Sequence, residues 1–282
     1  MKTLILASLA VMPAHSATLL WSENFESFDA GVSNLEQQSN GAWLTDPVET
    51  SAIAVVLNDQ LPTSFGGKSL AIGGVPTDGT EAELGVAYAL SPEASGFDPA
   101  TSAPETELSF SVALVLNTGT SAGGTLVDDF RFSFTDLNNV PLATLLLKQS
   151  AEAGFATVIR SNMAEVGGVF DTLARIPLNQ AFTMNLVMSP LLNKWSGSLT
   201  TGSVSISMFS DVDMTQNQGP PEPESTIGSF TIDWIKGGDE WGSNYLVADN
   251  FLLQSQTPIP EPGVPLMISG LAVASLLLRR RN

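Results

Sequence analysis

The sequence predicts an all-β chain: a single antiparallel β-sandwich of jelly-roll type, followed by one C-terminal transmembrane helix. Three observations predict it. Apolar and polar residues alternate with a period of two through most of the body. Glycine pairs and other turn residues interrupt these runs at short intervals. A charge-free run of fifteen residues, Val264 to Leu278, stands directly before a terminal arginine cluster.

The N-terminal segment, residues 1–16, reads as a secretory signal peptide. Lys2 supplies a basic start, Leu4 to Met12 an apolar run, and Ala14-His15-Ser16 the small residues of a cleavage site. Ala17 is the expected new N-terminus.

From Ala17 to Gln256 the expected element is the sandwich domain. In chain order the strands are expected at Ile53 to Leu57, Ser69 to Gly73, Leu84 to Leu90, Thr106 to Leu116 and Asp129 to Asp136. They continue at Leu142 to Lys148, Phe155 to Arg160, Ala181 to Met188, Ser203 to Phe209, Thr226 to Ile235 and Asn244 to Leu253. The Asp129 run shows the logic: Phe130, Phe132 and Phe134 face one way, Arg131, Ser133 and Thr135 the other. The stretch DLNNVP, Asp136 to Pro141, has the composition of a hairpin turn. Ser91 to Glu105 and Met214 to Ser225 read as long loops, and the body holds no capped helical stripe of 3.6-residue period. Twelve to fourteen short strands in one domain suit a sandwich.

Charge and missing residue types narrow the chemistry. The whole chain carries −18; the body keeps seven of the 11 basic and 28 of the 29 acidic residues, close to −21. Such a surface repels phosphate backbones, which excludes nucleic acid as a partner, and attracts cations. There is no cysteine, so an exported fold must stand without disulfides. The only histidine is His15, inside the expected signal peptide. A mature chain without His or Cys can build neither a Ser-His-Asp triad, a Cys-His pair nor an ordinary zinc site.

The opening LLWSENFESFDAG (Leu19 to Gly31) and the closing YLVADNFLLQ (Tyr245 to Gln254) resemble the edges of concanavalin A-like lectin/glucanase sandwiches. The resemblance implies that the first and last strands pair. It further implies a structural calcium near that edge, for which Glu23, Glu26 and Asp249 are the candidate ligands, calcium preferring several oxygens. Enzymes of this class carry carboxylates in an E-x-D-x-x-E pattern on one strand. That motif is absent here: Glu81/Glu83, Glu105/Glu107 and Asp211/Asp213 are alternate pairs without a third acid. No catalytic residue is therefore assigned.

Residues 257–282 form the tail. As a helix, 264–278 spans about 22 Å, short of the ~30 Å hydrocarbon core, and Arg279, Arg280 and Arg281 would lie on the cytoplasmic side. Pro260-Glu261-Pro262, the apolar segment and the arginines, in that order, resemble the PEP-CTERM sorting signal. The resemblance implies a Gram-negative bacterium, a secretion machinery and an exosortase as partners, anchorage in the inner membrane before processing, and delivery to the cell surface or a biofilm matrix of exopolysaccharide. A removable hydrophobic tail leaves no span in the mature protein.

For glycan recognition the useful residues are aromatic faces beside amides and acids. Trp241, with Asp239 and Asn244 nearby, and Trp43 are the candidates; Trp21, Trp195 and Trp234 fit strand packing. The expectation is a non-enzymatic surface or matrix protein that binds polysaccharide. A carboxylate-dependent glycan hydrolase and a purely structural biofilm protein are the alternatives.

Overall fold

The structure is a computed structural model that describes residues 15–31, 35–46, 54–59, 66–74, 83–90, 102, 106–119, 127–161, 169–214, 227–237 and 242–258. The strands are β1 (His15–Glu23), β2 (Trp43–Asp46), β3 (Ala54–Asn58), β4 (Lys68–Gly73), β5 (Glu83–Ala89), β6 (Glu107–Asn117), β7 (Asp129–Asp136) and β8 (Pro141–Gln149). They continue as β9 (Phe155–Ser161), β10 (Val169–Pro177), β11 (Ala181–Ser189), β12 (Lys194–Thr201), β13 (Val204–Asp213), β14 (Ile227–Ile235) and β15 (Tyr245–Pro258). One turn of helix, α1 (Leu35–Gln38), buries Leu35.

These strands form two antiparallel sheets. Sheet A runs β13-β12-β11-β6-β15-β4-β3 with β1 also on β15; sheet B runs β10-β9-β8-β7-β14-β5-β2. The expected sandwich is therefore present, and the first strand pairs the last, in a register from His15↔Pro258 to Glu23↔Phe251. That register begins two residues before Ala17, so cleavage there would shorten β1 without removing it.

The core lies between the sheets, where alternate residues of each strand meet. Phe110 of β6 stands against Phe134 of β7 edge to face, with ring centroids 4.9 Å apart. Phe130, Phe132, Phe134, Phe230 and Trp234 line the inner face of sheet B, and Phe182, Met184, Leu186 and Phe251 that of sheet A, all buried. Aromatic burial on this scale is the main stabilising term of a fold without disulfides.

Strand expectations with strict alternation match the structure to within a few residues. β2, β10 and β12 were not expected from the sequence. In β10 a bulge between Asp171 and Arg175, with Leu173 at φ 62°, breaks the period of two. β12 (KWSGSLTT) is rich in Ser, Thr and Gly and shows weak apolar contrast. The DLNNVP turn is a hairpin: Asp136 Oδ1 accepts from the N–H groups of Asn138 and Val140, both at 2.8 Å, and Asn139 takes the left-handed conformation at φ 61°.

No helix among the described residues is long and apolar enough to cross a membrane. The expected span 264–278 and the sorting residues Pro260, Glu261, Pro262, Arg279, Arg280 and Arg281 lie outside the described residues, as do residues 1–14 of the expected signal peptide.

Candidate functional site

Three polar constellations are positioned by this topology. The first lies where β15 changes neighbours. Tyr245–Ala248 pair with β4, while β1 takes over from Phe251 onward. Between them β15 bulges, with Asn250 at φ 51°. The turn after β1 and the approach to β4 meet at this gap. Asp249 is fully buried there, and neither of its carboxylate oxygens has a hydrogen-bond partner of good geometry. Burial pushes its pKa up to about 7; the neighbouring Asn250 N–H opposes this, and the negative charges of Glu26 and Glu23 add to it.

The three expected calcium ligands thus gather at one junction, in unequal roles. Gly66 separates two of them: a Cβ built there would meet Glu26 Oε1 at 2.9 Å and Asp249 Oδ2 at 3.2 Å. Glu26 Oε1 accepts from the N–H groups of Gly67 at 2.6 Å and Lys68 at 3.0 Å, bonds that hold its pKa below the usual value. Lys68 Nζ donates to the carbonyls of Glu26 (3.0 Å) and Phe28 (2.5 Å), bringing a positive charge beside this pair. Glu23 instead turns back on its own loop, its Oε1 accepting from Asn24 and Phe25 N–H at 2.9 Å each. No group of three acids, histidines or cysteines among the described residues forms a ready metal cage. The fit to a cation rests on the orphaned oxygens of Asp249 and on Glu26.

The second constellation contains Trp43 and Asn244, the two residues of the expected glycan site that the structure describes. Trp43 is not an exposed platform: it is fully buried, packed 5.6 Å from Phe25 and from Phe251, and 5.1 Å from Tyr88. Its neighbours in the sequence, Gly and Thr among them, suggested a loop, yet β2 turns the indole into the core. Asn244 is also buried and structural, its Oδ1 accepting from Val127 and Asp128 N–H at 3.2 Å each. Trp241 and Asp239 lie outside the described residues.

The flanking Gly237 and Gly242 are nevertheless well fixed, through a residue that sequence reading missed. Asp128 is fully buried; its Oδ2 accepts from Trp234 Nε1 and Gly242 N–H, both at 2.8 Å, and its Oδ1 from Gly237 N–H at 3.2 Å. One carboxylate therefore ties Gly237 and Gly242 to the end of β14. Only glycine fits at Gly237, where a Cβ would stand 1.9 Å from the Val127 carbonyl oxygen. Asp128 lies beside the Asp129 strand rather than in a motif, so only the fold shows its role.

The third constellation is the outer face of sheet B. Register aligns its outward residues in rows across the strands. Gly85, Asp233, Arg131, Leu146 and Ile159 form one row; Ala87, Thr231, Ser133 and Thr144 form the next. The first is a ridge whose centre is charged. Arg131 Nε donates to Asp233 Oδ2 at 3.0 Å, and its Nη2 pairs with Glu83. Gly85 makes room for this, since a Cβ would lie 2.4 Å from Asp233 Oδ1. The second row, with Ala89, Ser229 and Thr135 beyond it, is a low shelf whose hydroxyls satisfy one another, Ser133 with Thr144 at 3.2 Å and Thr135 with Ser229 at 2.6 Å; Ser133, Thr135 and Thr144 are buried, while Ser229 and Thr231 stay partly exposed. The shelf crosses the strands, which lie ~4.8 Å apart.

The fold defined by these sheets is an antiparallel β-sandwich of two packed sheets. Among solved structures, the catalytic domain of a GH131 β-glucanase from Podospora anserina is similar over 83% of this chain and 95% of its own, at 10% identity and a TM-score of 0.52. The winged bean acidic lectin complexed with methyl-α-D-galactose aligns over 86% of this chain and 100% of its own, at 9% identity and a TM-score of 0.47. Lectin II from Ulex europaeus aligns over 84% and 99%, at 11% identity and a TM-score of 0.44. No protein-family description and no curated protein matches the chain.

Proposed function

We propose that this chain is an exported polysaccharide-binding protein of the cell surface or extracellular matrix, which grips a neutral glycan on the outer face of sheet B. The observation that carries the reading is the partly exposed Glu83–Arg131–Asp233 ridge beside the Thr231 and Ser229 hydroxyls. A glycan chain laid across the strands would meet the partly exposed Thr231 and Ser229 hydroxyls, with a guanidinium and two carboxylates along one side. The likeness to a β-glucanase domain supports a glucan-type ligand. Arg131 occupies both carboxylates, whereas hydrolysis requires one carboxyl able to deliver a proton and another to act as nucleophile or base. Binding without cleavage is the reading this favours. Affinity electrophoresis in a gel containing soluble β-glucan tests it: the wild type is retarded and Arg131→Ala is not. Release of reducing ends that disappears in Glu83→Gln or Asp233→Asn would replace the binding reading with the hydrolase one.

Delivery follows from the two ends of the sequence. The signal peptide exports the body, and the PEP-CTERM tail holds it at the inner membrane until the exosortase acts. Mass spectrometry of the mature C-terminus checks this step, and a mature protein that keeps Arg279 to Arg281 would show a permanent anchor instead. At the β15 junction, Asp249 with Glu26 would hold a structural calcium, which would neutralise the buried carboxylate and brace the switch from β4 to β1.

A further inference from the structure

We propose that the chain carries a second saccharide site on the outer face of sheet A, so that one molecule bridges two polysaccharide strands. A cavity of about 420 Å³ opens there beside the β15 bulge, within the size range of small-ligand sites. It is produced by topology. Ala113 of β6 is paired with Thr183 on one side and Asp249 on the other, and its small side chain leaves the centre of the face low. The bulge at Asn250 raises one wall and the end of β1, at Ser22 to Asn24, raises another.

The lining selects the ligand. Ser111 and Thr183 present hydroxyls from two neighbouring strands, Asn24 and Asn250 present amides, and Glu23 is the single charged group. A phosphate or uronate would meet the Glu23 carboxylate and no lysine or arginine. A purely apolar ligand would take the Ser111 and Thr183 hydroxyls from water and offer them no hydrogen bond, which costs free energy. A neutral sugar residue matches both aspects, donating to Glu23 and the amide oxygens, accepting from the hydroxyls, and resting its C–H face on Ala113 and Leu252.

Ser111 and Thr183 point away from the core on sheet A, as Arg131 and Thr231 do on sheet B. The two sites therefore lie on opposite faces, and a short glycan cannot fill both. Two strands held by one molecule make a cross-link, with the avidity that multivalent attachment brings. This inference rests on the glycan-binding reading of sheet B for its ligand class.

Isothermal titration with a soluble β-glucan hexasaccharide, and precipitation of the polymeric glucan, test it together. The wild type takes up about two hexasaccharides per chain and precipitates the polymer. Ser111→Ala/Thr183→Ala, and separately Ala113→Leu, which fills the cavity, weaken one site at least about ten-fold and abolish precipitation while leaving the other site intact. Melting curves report whether each variant folds, and the two act by opposite means, so agreement between them excludes a folding artefact. A wild type with one site, lost in Arg131→Ala and unchanged in the sheet A variants, overturns the second site and leaves the first reading standing. A wild type that binds neither hexasaccharide nor polymer overturns both.

Discussion

Asp128 and Trp234 meet in the interior of the sandwich: the indole Nε1–H donates to carboxylate Oδ2 at 2.8 Å, and both side chains are fully buried. The same carboxylate fastens Gly237 and Gly242, so a strand side chain and a loop share one acceptor. Removing it strands two buried donors, Trp234 Nε1–H and Gly242 N–H, and frees that of Gly237. Asp128→Ala is expected to cost about 3 kcal/mol or more, seen as a fall of roughly 6–12 °C in melting temperature for a domain of this size. Trp234→Phe keeps the packing, loses one hydrogen bond and should cost about half as much.

Gly85→Ala tests the ridge on sheet B. The added methyl would lie 2.4 Å from Asp233 Oδ1, so the carboxylate must leave Arg131 or the strands must separate. A loss of about 1–3 kcal/mol is expected from denaturant titration, with weaker glucan retardation. Retardation equal to wild type would show that the Arg131–Asp233 arrangement does not hold the ligand.

Asp249 sets a dependence on pH. Its folded pKa is raised to about 7, above the ordinary carboxylate value of 3.8. The folded form keeps the proton where the unfolded chain has released it, so its contribution is fully present below about pH 4 and is lost as pH rises through about 7. In chelator-treated protein, stability should therefore fall between these limits by up to roughly 1.4 kcal/mol per pH unit. Asp249→Asn should flatten that slope and make the metal-free protein more stable at pH 8.

Calcium should reverse the trend if Asp249 and Glu26 hold it. Adding the ion at pH 8 is expected to raise the melting temperature of the wild type and not of Asp249→Asn. Equal shifts in both proteins would place any calcium effect elsewhere.

Trp43 now predicts stability and not recognition. Trp43→Ala removes a ring packed against Phe25, Tyr88 and Phe251 and should cost about 3–5 kcal/mol. At a temperature where the variant stays folded, its affinity for glucan should match that of the wild type.

What the sequence by itself determined is whatever depends on local order. Phe130, Phe132 and Phe134 alternate with Arg131, Ser133 and Thr135, and the pleat converts that alternation directly into an inner and an outer face. The DLNNVP hairpin follows from the preference of Asp and Asn for that turn. Tertiary structure decided what depends on residues far apart. Trp43 looked exposed because its neighbours are polar, yet it is buried because β2 pairs with β5. Glu26 and Asp249 approach across more than two hundred residues because β15 exchanges β4 for β1 at the bulge. Arg131, Glu83 and Asp233 come from three strands, and their meeting needs a register that no spacing in the sequence expresses. Local periodicity chooses the face a side chain occupies; only strand order and register choose its neighbours across the sheet.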